Sequence, residues 1–261
     1  MDAREDPSRR FTGDVPVTTR IGAVALALAV PVLVIAEVLH PSREDPMDFP
    51  AVFREYAHSD IWTAVHLAEY FGFLLLLGGL VALYYSVGAG RGPGAGLAPF
   101  ALAAVLTTAA SFTVLQAVDG IALKRAVDAW ASAPAAQKAP AFAVAEAIRW
   151  TEIGMNGLSF FLTGLTLLLF GLTIALGSVY PRWTGFIAVV SGLAFVYNGA
   201  VKVAYEGFVP SVVKLVGILL LAVWAFVMAV LMLRHAGGRR RRGAHPAAAP
   251  AGPTRRSANP R

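Results

Sequence analysis

Six apolar stretches, separated by short polar connectors, constrain this chain more than any other feature. A bilayer core needs roughly 20 predominantly apolar residues per helical crossing. The runs Ile21–Leu39, Thr63–Val87, Leu97–Val118, Ile153–Leu176, Trp183–Val201 and Val209–Leu233 each meet that length. A soluble domain keeps a charged surface, yet here 57% of residues are hydrophobic and 15% charged, with a mean hydropathy of +0.62. The expected fold is therefore all-α: a polytopic membrane bundle of six transmembrane helices over residues 21–233. Residues 1–20 form an N-terminal tail, and residues 234–261 a basic tail whose Pro246 and Ala247–Pro250 read as disordered.

Charge sets the orientation. Eight of the 22 Lys and Arg lie after Leu233, including the run Arg239 to Arg242, so the net charge of +6 belongs to the tail. A basic tail next to a membrane helix fits anionic lipid, and no nucleic-acid face is expected. With the N-terminus in the cytoplasm, 14 basic residues fall inside and eight outside, which follows the positive-inside rule and leaves both termini cytoplasmic. Without cysteine there are no disulfides, thiolate metal sites or cysteine nucleophiles.

The inner connectors, Gly88 to Gly96 and Gly177 to Arg182, are rich in helix breakers and short enough to make the helices on either side antiparallel neighbours. The outer connectors, residues 40–62 and 119–152, are longer. In the second, Ile121–Trp130 and Ala141–Trp150 carry apolar faces separated by Pro134 and Pro140, a pattern expected of two interfacial helices. Gly157, Gly164 and Gly171 recur every seven residues, giving the fourth span a smooth stripe for close helix packing.

Ionisable residues in hydrocarbon need a partner, a wet cavity or an interfacial position. Here they gather at one end. The first span ends Glu37-Val-Leu-His40 and the second begins His66-Leu-Ala-Glu69, so two Glu/His pairs meet at matched depth. Glu-x-x-His pairs on facing helices are one way bundles build carboxylate–imidazole metal centres, which makes His40, His66, Glu37 and Glu69 candidate ligands for a divalent metal. Asp119 and Glu152 extend the set, and Gln116, Asn156 and Asn198 lie about a turn deeper, able to orient a ligand. Three readings fit these nine residues: a rim that satisfies itself through Arg149, Lys202 and Lys214; an outward-facing pocket for a small solute, lipid headgroup or ion; and the centre of a metal-dependent membrane hydrolase. A role as an assembly or partner subunit needs no site at all, and the sequence names no protein partner. Phosphate-loop, zinc-helix and nucleophile-elbow motifs are absent from the sequence.

His40-Pro41 after the first span, Asp119-Gly120 after the third, Glu152 opening the fourth and Pro181-Arg182-Trp183-x-Gly185 entering the fifth resemble uncharacterised six-helix integral membrane proteins of actinobacterial type, a family of unknown function. The likeness spans roughly residues 20 to 233. It implies the same topology and a bacterial plasma (inner) membrane, and brings no catalytic residues with it.

Overall fold

The computed structural model describes residues 7–88, 90 and 92–243, with side chains over 17–237. The run Arg239 to Arg242 lies on a described helix, but its side chains, like residues 244–261, fall outside that description. Every described element is helical: α1 (Pro7–Leu39), α2 (Phe49–Ala57), α3 (Trp62–Gly88), α4 (Pro93–Ala117), α5 (Lys124–Ser132), α6 (Ala135–Ala175), α7 (Arg182–Tyr197), α8 (Ala204–Glu206) and α9 (Val212–Gly243). Two π-helical turns, Val118–Leu123 and Asn198–Val203, join α4 to α5 and α7 to α8 without a break.

Six of the helical segments are long and apolar enough to cross a membrane. They close into a ring: α1 packs on α3, α3 on α4, α4 on α6, α6 on α7, α7 on α9, and α9 returns to α1. The Gly/Pro connectors make α3 and α4, and α6 and α7, the expected antiparallel neighbours. Leu26, Leu80, Leu83, Phe170, Ile174, Trp224, Met228 and Met232 fill the interior. Outward, α1 shows Val24, Leu28, Val34 and Ile35, and α9 shows Leu215, Leu219, Val223 and Phe226. In water such a belt would be an aggregation surface; facing lipid, it is the expected exterior.

The α6–α7 contact is set by glycine. The α6 stripe meets a second one on α7 and its π turn, Gly157 against Gly199, Gly164 against Gly192 and Gly171 against Gly185. A Cβ on Gly164 would stand 2.6 Å from the Gly192 carbonyl oxygen, so the two backbones touch with no side chain between them.

The outer connectors depart from the sequence expectation. Instead of two interfacial helices over the bundle, α5 and the first half of α6 continue the third and fourth spans along their own axes. At ~1.5 Å per residue, the 41 residues of α6 make a rod about twice as long as the roughly 30 Å hydrocarbon core, so much of it stands clear of the bilayer. Pro140 lies inside α6 as its sixth residue, in the exposed N-terminal part of the helix, which continues through it at the loss of one backbone donor. The short α2 lies against the hairpin. Asp48 caps it, accepting the Ala51 N–H at 3.2 Å, and Phe49, Val52, Phe53 and Tyr56 form its buried face. With Leu123, Val127, Ala145, Ile153 and Trp62 they make a second core, a cap on the polar end of the ring.

Candidate functional site

Beneath the cap, the first π turn aims Asp119 at α3. A π turn leaves backbone carbonyls without helical donors, and α3 supplies replacements: Trp62 Nε1 donates to the Asp119 carbonyl at 3.1 Å and Thr63 Oγ1 to the Gly120 carbonyl at 3.1 Å. Gly120 permits the approach, since a Cβ there would lie 2.7 Å from that of His66. His66 is 2% exposed, and its Nδ1 lies 2.8 Å from the Trp62 carbonyl oxygen. A carbonyl only accepts, so Nδ1 carries a hydrogen and the neutral ring keeps its lone pair on Nε2. That Nε2 faces Asp119 Oδ2 at 3.2 Å. Two lone pairs at that distance repel, so the arrangement calls for one proton shared by the pair.

Around this pair the cluster is aromatic and sealed. The His40 ring lies 5.2 Å from that of Trp62 and 5.1 Å from that of His66, and Tyr56 packs against Trp62 with ring centres 4.0 Å apart and planes tilted by 43°. His40 stands just past the end of α1; burial, and then the charge of neighbouring His66, push its imidazole below the ordinary 6.5. Burial in the cap raises the Tyr56 phenol well above its ordinary range, so it stays neutral.

A second ionic pair adjoins the first. Arg149 Nη1 donates to Glu152 Oε2 at 2.5 Å, one helical turn apart on α6, and both side chains are buried. Arg149 Nη2 reaches the Pro46 carbonyl at 3.1 Å, tying the first connector to the hairpin, and the guanidinium lies over the rings of Phe208 at 4.9 Å and Tyr56 at 5.5 Å. The Asp119 charge reaches Glu152 and Tyr56, making the two pairs one electrostatic unit.

His40, His66, Asp119 and Glu152 are thus brought together, with Glu69 and Gln116 alongside, joined at 3.3 Å. Glu37 is not part of the group, being exposed on α1. Asn198 is buried in the second π turn with its Nδ2 unpartnered, and Asn156 is half-buried on α6; neither is hydrogen-bonded to the His66–Asp119 pair. Of the basic rim, Arg149 alone enters the cluster: Lys202 pairs with Glu206, Lys214 lies over Phe160 at 5.3 Å and Lys124 binds Asp128 at 2.6 Å. Sequence reasoning missed Tyr56 and Trp62, which it left in the first outer connector without a role. The α2 pattern of apolar residues at 49, 52, 53 and 56 was the available signal.

No protein-family model, curated protein or solved structure matches this chain. The site must be judged on its own chemistry. Among the described residues, no group of three or more His, Asp or Glu side chains is arranged to hold a metal ion. The acceptors on offer include the His66 lone pair, the unpartnered Asp119 Oδ1 and the unpartnered Gln116 Oε1.

Proposed function

We propose that this multi-pass membrane protein binds a small cation, in the first instance a proton, at the sealed His66–Asp119 pair. The observation that carries the reading is the fixed tautomer of His66, whose Nδ1–H is committed to the Trp62 carbonyl while Nε2 faces a carboxylate oxygen at 3.2 Å. Protonation governs how strongly α3 and the π turn hold together, and through Tyr56 and Arg149 how firmly the cap sits. The role is one-sided binding rather than conduction. Below the cluster the hydrogen-bonded side chains are hydroxyls, such as Ser111–Ser159, Thr108–Thr166 and Ser86–Tyr180, which do not make a charged path through the bundle. The positive-inside bias and the resemblance to actinobacterial six-helix proteins support a bacterial plasma membrane, cytoplasmic termini, an outward-facing cap and a basic tail on anionic lipid.

The test is a pH titration of protein labelled with ¹⁵N in its histidines and held in lipid nanodiscs. His66 should keep a protonated Nδ1 throughout, and Asp119→Asn should shift the pH at which its Nε2 proton leaves. An unchanged His66 curve in Asp119→Asn sinks the proposal. Stoichiometric Zn²⁺ that moves the Nε2 resonance only when Asp119 is present would replace the proton with a metal.

A further inference from the structure

The outer face of the cap carries a second feature, separate from the buried cluster. Residues 47–50 and the side chains of Phe142, Glu146 and Trp150 line an open depression of about 400 Å³, within the size range of small-molecule sites. Its composition is one-sided: two carboxylates, Asp48 and Glu146, three aromatic rings and no basic residue. Phe142, Glu146 and Trp150 follow one another at intervals of four along α6, which places the carboxylate between two rings on one helical face.

Among the described residues, neither carboxylate is paired with a cation. Asp48 gives one oxygen to the N-terminus of α2 through the Ala51 N–H. Among the described residues Glu146 forms no ion pair or hydrogen bond, although it is half-buried. The adjacent Arg149 is turned inward, held by Glu152 and Pro46. Trp150 packs edge to face with Phe49, ring centres 5.3 Å apart at 72°, and keeps 51% of its surface exposed. The indole is held by Phe49 on one side and available on the other.

Unpaired carboxylates beside aromatic faces suit one ligand chemistry. Anions are repelled. Calcium or magnesium requires six or more oxygen ligands, which aromatic walls do not provide. A neutral apolar molecule would leave half-buried Glu146 poorly solvated. A substituted ammonium ion satisfies both components, its charge against Glu146 and its alkyl groups on the ring faces. We infer that this depression is a binding site for organic ammonium cations, with Glu146 and Trp150 as its principal contacts.

Such a cation could arrive free or as the headgroup of a zwitterionic lipid. The probes are choline and its neutral isostere 3,3-dimethylbutan-1-ol, titrated by calorimetry into full-length protein in nanodiscs made only of phosphatidylglycerol. Choline should bind at least about tenfold more tightly than the isostere, which is the weight of one or two cation–π and charge contacts. Glu146→Gln and Trp150→Leu should each weaken choline by about tenfold or more at unchanged thermal unfolding, since one residue is half-buried and the other exposed. Nanodiscs containing phosphatidylcholine should compete with free choline if headgroups are the natural occupant, and should leave its affinity unchanged if a free cation is. Equal affinity for choline and the isostere, no choline binding at about 10 mM, or binding that survives both substitutions would overturn the assignment.

Discussion

Replacing Arg149 by Met tests whether the buried charges of the cap function as a unit. Met keeps most of the side-chain volume and removes the guanidinium. Glu152, 2% exposed, then loses the cation it is hydrogen-bonded to. Breaking a buried pair from one side costs about 3–5 kcal/mol, because the surviving charge is left uncompensated. Substituting both residues, Arg149→Met with Glu152→Met, removes that charge. What remains is the lost charged hydrogen bond to Pro46, worth about 1.5–3 kcal/mol, together with the weaker ring contacts to Tyr56 and Phe208. The double variant should therefore be more stable than the single by roughly 1–3 kcal/mol, although it carries one more substitution. Equilibrium unfolding in mixed micelles, followed by tryptophan fluorescence, measures both differences. A single variant within about 1 kcal/mol of the parent, or a double variant less stable than the single, would refute the view that Arg149 and Glu152 depend on each other as a buried pair.

Two further predictions follow from the packing and the pH response. At Gly164 a Cβ falls about 0.8 Å short of the 3.4 Å at which ordinary contact begins, and the obstacle is backbone that cannot rotate away. Gly164→Ala should cost about 1–3 kcal/mol, whereas Gly154→Ala, on the open face of the same helix, should be neutral or mildly stabilising. Equal unfolding free energies for the two would mean that α6 and α7 do not touch along glycine. His40 has a depressed folded-state pKa, so the unfolded chain binds a proton there at pH values where the folded chain does not. Its contribution is complete above the ordinary 6.5 and is lost as pH falls from that value through the folded one. His40→Gln should flatten the dependence of Tm on pH below 6.5, and an unchanged slope would remove His40 from the account of acid lability.

The six spans were legible in the sequence because each is a long apolar run, and the polar end because its ionisable residues cluster there. Which face of a helix turns inward was not legible. Spacing of three leaves Glu37 and His40 about 60° apart, close enough to look like neighbours, but packing sets the rotation. On α1 the small residues Gly22, Ala29 and Ala36, seven apart, are buried. His40, four residues beyond Ala36, sits about 40° from that line, while Glu37 sits about 100° away and is turned out. That rotation parts Glu37 from His40, which spacing alone had placed together.

The π turns were hidden for a different reason. Asp119-Gly120 read as a helix end, because a polar residue followed by glycine usually stops a helix, and Asn198-Gly199 read as ordinary helix inside the fifth span. Here each pair sits inside a helix that continues, and each glycine abuts a neighbour: Gly120 the Cβ of His66, Gly199 the carbonyl of Gly157. The glycine admits the neighbouring helix and the widened turn exposes carbonyls, which in the first case are taken up by Trp62 and Thr63. The same widening turns Asp119 toward His66. Close approach, freed acceptors and an aimed carboxylate are thus three consequences of one inserted residue, and the cap keeps the resulting charge out of water, where its pairing with His66 is strongest.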